Sequence, residues 1–440
     1  VTGEPVTGEP VTGEPVTREP VTGEPVTGEP VTREPMTRGA AAASALIAAC
    51  AGLAGCAACA GQDVSPPAVP VTHAVPDAPA ATPLAEVDEV LEPGPPPDYT
   101  TVPDDDSVYA PRSELLPPEA EVWLKGSTHV HARASGDSSE PPGNVMGWYE
   151  RRHYDFIVLT DHNRVSELDP ANDTRGQVAL RDARAGLIVL SGIELTHNPI
   201  GCLPAGDPSG NCRIHVNLIG PTARPIGRIE WAERRSHQRI DMYRAALNAQ
   251  SALGGLVQIN HPQWLWGMTP ELLLDLAQRG VPLIEVANVA FSKWNAGDAV
   301  HPSTEALWDA ALARGATLWG VASDDAHDYE GHGKYPPGGG WVMVRARREP
   351  RAILDALAAG RFYASTGVVL TRAEVEGDEL VIAVDPAAPG SYTIDFIESG
   401  KRIETVHGRF ARRRVPAAGY VRAVVTRSDG KRAWIQPARR

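Results

Sequence analysis

The chain has 440 residues, is 42% hydrophobic and carries a formal charge of −14. That length admits two or three domains, each able to bury a core. The charge is uneven: residues 1–120 hold 19 acidic and 4 basic residues, leaving 37 basic and 36 acidic in 121–440, so the C-terminal body is nearly neutral and general nucleic-acid binding is not expected.

Residues 1–35 are seven copies of the pentapeptide Val-Thr-Gly/Arg-Glu-Pro. A proline every fifth residue forbids a helix and interrupts sheet pairing. The little apolar surface does not offset the entropy of ordering, so this stretch is expected to be disordered, or untranslated if synthesis starts at Met36 rather than Val1. Residues 36–56 combine Arg38, an Ala-rich apolar run and Leu53-Ala54-Gly55-Cys56. This is the layout of a secretory signal, and Leu-Ala-Gly-Cys resembles a bacterial lipobox. Cys56 is then the lipidated residue, with Cys50 and Cys59 as weaker alternatives and an ordinary cleaved signal as the competing reading. The run is short of the ~20 residues a spanning helix needs. Residues 57–117, rich in Pro, Ala and acid, read as an extended tether. The expected location is the bacterial envelope, outside the cytoplasm and held to a membrane through Cys56. Outside the cytoplasm, Cys202 and Cys212 are expected to pair. By the chain-entropy model a loop this short gains somewhat less than ~3 kcal/mol.

Residues 118–370 alternate β-branched runs with amphipathic stretches. Strands are predicted at 121–130, 156–161, 187–195, 214–219, 255–260, 282–288 and 317–323. Helices are predicted near 144–153, 174–185, 229–253, 270–279 and 303–314. Such alternation points to a mostly parallel sheet or barrel. A distorted barrel of about seven βα units is favoured over an open doubly wound sheet. Residues 371–440 switch to apolar/polar alternation with turn signals at 386–390 and 428–430, the pattern of a small antiparallel β domain. Arg409 and Arg412-Arg413-Arg414 in this part read as a solvated strand or loop; contact with anionic lipid or substrate is the sharper alternative.

The chemistry lies at the ends of the apolar runs. His129, His131, Asp137, His162, Glu194, His215, His261, Asp325 and His327 include six of the thirteen histidines. Residues i and i+2 of a strand share a face, so His129 with His131, and Asp325 with His327, can each reach one ion. The C-terminal strand ends of a parallel barrel share one rim, where sites assemble. His215 is the exception, because it opens its apolar run instead of closing it; its strand runs differently or the ligand reaches in from a loop. Imidazole and carboxylate suit zinc, manganese and iron alike. Two or three divalent ions are expected. The chain offers no convincing Ser/His/Asp triad and no glycine-rich phosphate loop, so the expected nucleophile is water activated as hydroxide by the ions. Asp161, beside His162, is placed to orient an imidazole or to cap a strand end. Trp264 and Trp266 either wall a substrate pocket or pack the barrel. Arg133, Arg164 and Lys334 are possible phosphate contacts, though each reads first as a surface charge.

His129-Val130-His131 with Asp137, Thr160-Asp161-His162-Asn163, Gly192-Ile193-Glu194, His215, Asn260-His261-Pro262 and Asp325-Ala326-His327 resemble the successive motifs of the PHP (polymerase and histidinol-phosphatase) superfamily. The C-terminal segment, with Tyr420-Val421-Arg422 and Asp429 to Trp434, is similar to its CehA/McbA-type metallohydrolase branch. The resemblance spans about residues 120–370 and fills all nine ligand positions. It implies a distorted (βα)7 barrel with a trinuclear site. His129, His131 and Asp325 would serve one ion, Asp137, His162 and His327 a second, His215 and His261 a third, with Glu194 bridging. It favours phosphoester hydrolysis of a small molecule and admits carboxylic or carbamic ester hydrolysis. A non-catalytic metal- or glycan-binding lipoprotein is the remaining alternative. The departures from the family pattern are an insertion around Cys202–Cys212 and the aromatics Trp264, Trp266 and Trp294.

Overall fold

The computed structural model describes residues 119–166, 186–329 and 333–440, all within one compact unit, Glu86–Arg440. The pentapeptides, the signal and lipidation segment with Cys56, the tether, and the whole of the helix predicted at 174–185 lie outside the described residues.

All seven predicted strands form: β1 (Val122–Val130), β2 (Phe156–Leu159), β3 (Ile188–His197), β4 (Ile214–Ile219), β5 (Leu256–Ile259), β6 (Leu283–Asn288) and β7 (Trp319–Ser323). They are neighbours in this order within a 13-stranded sheet. The joins β1–β2, β2–β3, β5–β6 and β6–β7 are parallel. β4 runs antiparallel to both β3 and β5. This is why His215 lies near the head of its strand: reversal carries the start of β4 to the rim where the other strands end.

Helices α1 (Pro142–Arg151), α2 (Arg239–Leu253), α3 (Pro270–Gln278), the single turn α4 (Ser292–Asn295) and α5 (Thr304–Ala313) lie between strands. Proline sits in the first turn of α1 and α3, where its missing N–H is no loss. Thr269 and Ser303 cap α3 and α5 by accepting from Leu272 N and Ala306 N. α2 starts ten residues later than its predicted span, because Arg234 to Gln238 offers no apolar face. The seven-unit βα repeat is incomplete, since no helix joins β3 to β4. Among the described residues the circuit from β1 to β7 meets only at its rim, through a parallel bridge between Val130 and Ala326.

Two bulges lie beneath the site. Ser127 pairs with Ile157 and Val130 with Leu159, so β1 carries one extra residue there. An extra residue reverses which side chains face inward. Leu124 shares the inner core with Phe156, Val158 and Ile188, and beyond the bulge His129 and His131 take that side. On β6, Glu285 pairs with Val321 and Ala287 with Ala322, placing a second bulge next to Glu285.

The sheet continues on the far side of β1 through β8 (Trp341–Ala346) and, after α6 (Pro350–Ala358), β9 (Phe362–Ser365). Ile353, Ala356 and Leu357 of α6 complete the inner core. β8, β9 and all later strands pair antiparallel. β10 (Leu370–Glu376), β11 (Glu379–Val384) and β14 (Phe410–Arg414) form a separate three-stranded sheet. β12 (Tyr392–Glu398), β13 (Lys401–His407), β15 (Val421–Arg427) and β16 (Arg432–Ala438) extend the large sheet, β16 pairing with β9. The arginine run is matched by acids: Arg412 with Glu379, Arg413 with Glu398 and Glu404, Arg414 with Asp378. Arg409 donates to the carbonyls of Asp385, Ala388 and Gly390. These strands therefore do not present the free basic patch that an anionic surface would need.

Candidate metal centre

All nine predicted ligands converge at the rim. Glu194 is central and fully buried. Its Oε1 lies 3.3 Å from His129 Nε2, 3.0 Å from His215 Nδ1 and 3.7 Å from His261 Nε2. Its Oε2 lies 2.6 Å from His162 Nδ1 and 3.8 Å from His131 Nε2. Asp325 Oδ1 is 3.0 Å from the Nε2 atoms of both His129 and His131. Asp137 Oδ2 is 2.9 Å from His162 Nε2 and 3.3 Å from His327 Nε2.

Three sets of ligand atoms are compact enough for one ion each: His131, Asp137, His162 and His327; His129, His131 and Glu194; and Glu194, His215 and His261. The partition differs in detail from that implied by the resemblance, for His131 belongs to two sets and Glu194 to two. Asp325 joins the middle set through its 3.0 Å approaches to His129 and His131.

The residues fit a group of cations. Two atoms each about 2.1 Å from one tetrahedral ion stand about 3.4 Å apart, and the closest spacings above scatter around that value. His129 Nε2, His131 Nε2, His261 Nε2 and Asp325 Oδ1 are buried without a hydrogen-bond partner, although three of them approach to 3.0 Å. They come close without hydrogen-bond geometry, as ligands of a common ion do. A buried polar atom left unsatisfied costs about 1–3 kcal/mol, so four together need a partner. Asn163, His261 and Asp325 also hold left-handed backbone, with φ of 53°, 24° and 50°, the local strain that collects at functional sites.

Electrostatics keeps several ligands in binding form. Burial, reinforced by the charge of His327, lowers the His131 imidazole to about 3. Burial lowers His215 to about 4. Burial works to raise the Glu194 carboxyl, but His215, His162 and His129 overcome it and hold it well below the ordinary range. Burial works to lower His162, but Glu194 and Asp137 raise it to about 10. Asp137 is the open edge of the site, 52% exposed in its side chain.

Glu285 is the residue that motif reasoning missed. It is fully buried, accepts from His129 Nδ1 at 2.7 Å and from His261 N at 2.6 Å, and is held by Gln258 and Asn288. A carboxylate behind an imidazole fixes the ring and raises its basicity as a ligand. The signal was a lone acid inside the apolar run Leu283-Ile284-Glu285-Val286. Asp161 does not take the imidazole-orienting part expected of it. Its carboxylate accepts from Ala132 N at 2.7 Å and from Ser166 Oγ, which holds the backbone just after His131. Ring orientation falls instead to Glu285 for His129, to Ser135 for His131 at 2.7 Å and to Thr196 for His162 at 2.7 Å.

Of the aromatics, Trp264 stands edge-on to His261 at 5.0 Å and His215 at 5.6 Å, and 4.5 Å from Phe291. Trp266 turns away and stacks on His301. Trp294 lies behind Phe291. Arg133 and Lys334 are exposed and Arg164 partly so. Cys202 and Cys212 form the expected disulfide. Their loop is seated on the Trp264 segment, where Asp207 N donates to Leu265 O at 2.9 Å.

No family model matches the chain, and no curated protein matches it. A solved structure from Bacteroides vulgatus, described as a two-domain protein containing a predicted PHP-like metal-dependent phosphoesterase, is similar at 18% identity, covering 72% of this chain and 95% of that one, with a TM-score of 0.41.

Proposed function

We propose that this chain is a metal-dependent phosphoesterase whose β1–β7 circuit is a distorted PHP-type barrel. The observation that carries the reading is Glu194, whose two oxygens face five imidazoles across three adjoining ligand sets. His129, His131, Glu194 and Asp325 would hold the innermost cation, Asp137, His162 and His327 an outer one, and His215 and His261 with Glu194 a third. When bound, such ions activate water and stabilise charge on attacking and leaving oxygens. Neighbouring cations suit a reacting group with several charged oxygens, which favours a phosphoester. The chain's own part is to position and to exclude. Glu285, Ser135 and Thr196 fix the rings, Trp264 and Phe291 close one wall, and Asp137 leaves the outer side open to solvent.

The test is hydrolysis of bis-p-nitrophenyl phosphate and of 1-naphthyl acetate by the zinc- or manganese-loaded chain, with and without chelator, beside Glu194→Gln. Chelator-sensitive phosphoester turnover that falls to background in Glu194→Gln is expected. Turnover of the naphthyl ester alone would move the assignment to carboxylic or carbamic esters, the alternative that Trp264 beside His215 and His261 favours. We further propose that residues 36–56 export the chain and that Cys56 anchors it to an envelope membrane.

A further inference from the structure

Beside the ligand-bearing rim stands a cation that the candidate metal centre does not use, Arg213. Arg213 precedes His215 by two residues, so in extended chain it faces the same side. Its guanidinium lies 4.8 Å over the ring of Trp264, the tryptophan that stands against His215 and His261. Arg213 is partly buried and makes one hydrogen bond, from Nη1 to the carbonyl of Cys212 at 2.7 Å. Among the described residues no carboxylate pairs with it. The acid whose field it feels is Asp207, and Asp207 Oδ1 is taken by Ser209 N at 3.1 Å. Tyr335, the other side chain in its field, stands 5.4 Å from the His327 ring.

A guanidinium held beside a site built for several cations is repelled by them. Among the described residues no carboxylate forms an ion pair with it and the field of Asp207 reaches it without a contact, while the disulfide one residue away and the ring beneath it fix it in place. Such a group is stable in use only when an anion arrives with the ligand. The planar fork receives a carboxylate or phosphate through two parallel hydrogen bonds. We propose that Arg213, braced on Trp264, recognises a second anionic group on the substrate, so that the natural ligand carries a carboxylate or phosphate apart from the group held at the metals. This rests on the hydrolase reading for its substrate, but the contact is a binding property and is tested as one.

The zinc-loaded chain is titrated calorimetrically with phenylphosphonate and with its ortho, meta and para carboxylate and carboxamide derivatives, which sample three reaches. The expected result is that one carboxylate binds about tenfold tighter or more than its own carboxamide, the scale of a charge-assisted pair, and that Arg213→Met abolishes this preference with zinc content unchanged. The comparison of carboxylate with carboxamide in the unmodified chain stands even if the variant folds poorly. Equal affinity of carboxylate and carboxamide at all three positions, a preference that survives Arg213→Met, or no binding of any phosphonate would overturn the proposal. A chain that hydrolyses no phosphoester yet keeps the preference refutes the activity and leaves the anion contact standing.

Discussion

Protons and cations compete for the same nitrogen atoms at this site. With no cation bound, Glu194 and Asp137 raise His162 to about 10 despite its burial, so at neutral pH its ring is protonated. A protonated ring cannot ligate, and cation uptake must expel that proton. Affinity should therefore weaken as pH falls from 8 to 6, by about tenfold per unit for each proton displaced. A competitive chelator titration reads this, and a slope of zero would mean that His162 is not a ligand. Glu285→Gln keeps the shape but removes the charge behind His129; it should lower metal affinity or turnover about 10- to 100-fold, read by dialysis against chelator. The nine candidate ligands that converge at the rim were legible because each closes, opens or follows an apolar run and belongs to a ligating type. Glu285 was not, because a residue inside a strand looks like part of its core until the neighbours are known. Asp161 shows the converse: its place beside His162 suggested a histidine partner, but its oxygens turn to Ala132 and Ser166.

Strand positions were legible to within a few residues, since β-branched runs bounded by Gly, Pro and Asn mark them directly. A departure from the parallel course was hinted at only at β4, where His215 at the head of the run left either a differently running strand or a ligand from a loop, and the structure shows the reversed strand. The bulges on β1 and β6 were hidden, because an extra residue leaves no mark on composition. β8, α6 and β9 went unassigned, although Trp341 to Ala346 follows a glycine run as a strand start often does. Close strand approach sets its own demand at Gly192. A Cβ there would lie 2.6 Å from Val158 Cγ1 and 2.8 Å from Leu159 O, and backbone does not yield as a flexible side chain does. Gly192→Ala should therefore cost about 1–3 kcal/mol and displace Glu194 two residues on. Urea unfolding reads the first effect and metal content the second.

The composition break at residue 371 falls where a run of antiparallel strands begins at β10, but antiparallel pairing already occurs at β8 and β9, and the break did not reveal that four of the later strands extend the large sheet. Hydrophobic alternation marks a strand and is silent about which edge it joins. The Gln436 side chain bonds both Gly320 N and Gly320 O of β7, at 2.8 and 2.7 Å. Asp309 on α5 accepts from Tyr420 Oη, Arg422 Nε and Arg422 Nη2, each at 2.7 Å. Arg422 is 1% exposed, so losing Asp309 removes most of the compensation for a buried charge. Asp309→Ala should destabilise the chain by about 3–5 kcal/mol, seen as a lower urea midpoint in tryptophan fluorescence with metal stoichiometry retained. The strand that enters the fold first, β1, lies between β8 and β2 and is bonded along both sides. A pull arriving from the preceding residues therefore meets two ladders in shear instead of one in peeling. The far end of that strand bears His129 and His131, so mechanical yield of the strand and release of any cation held by that pair would be a single event.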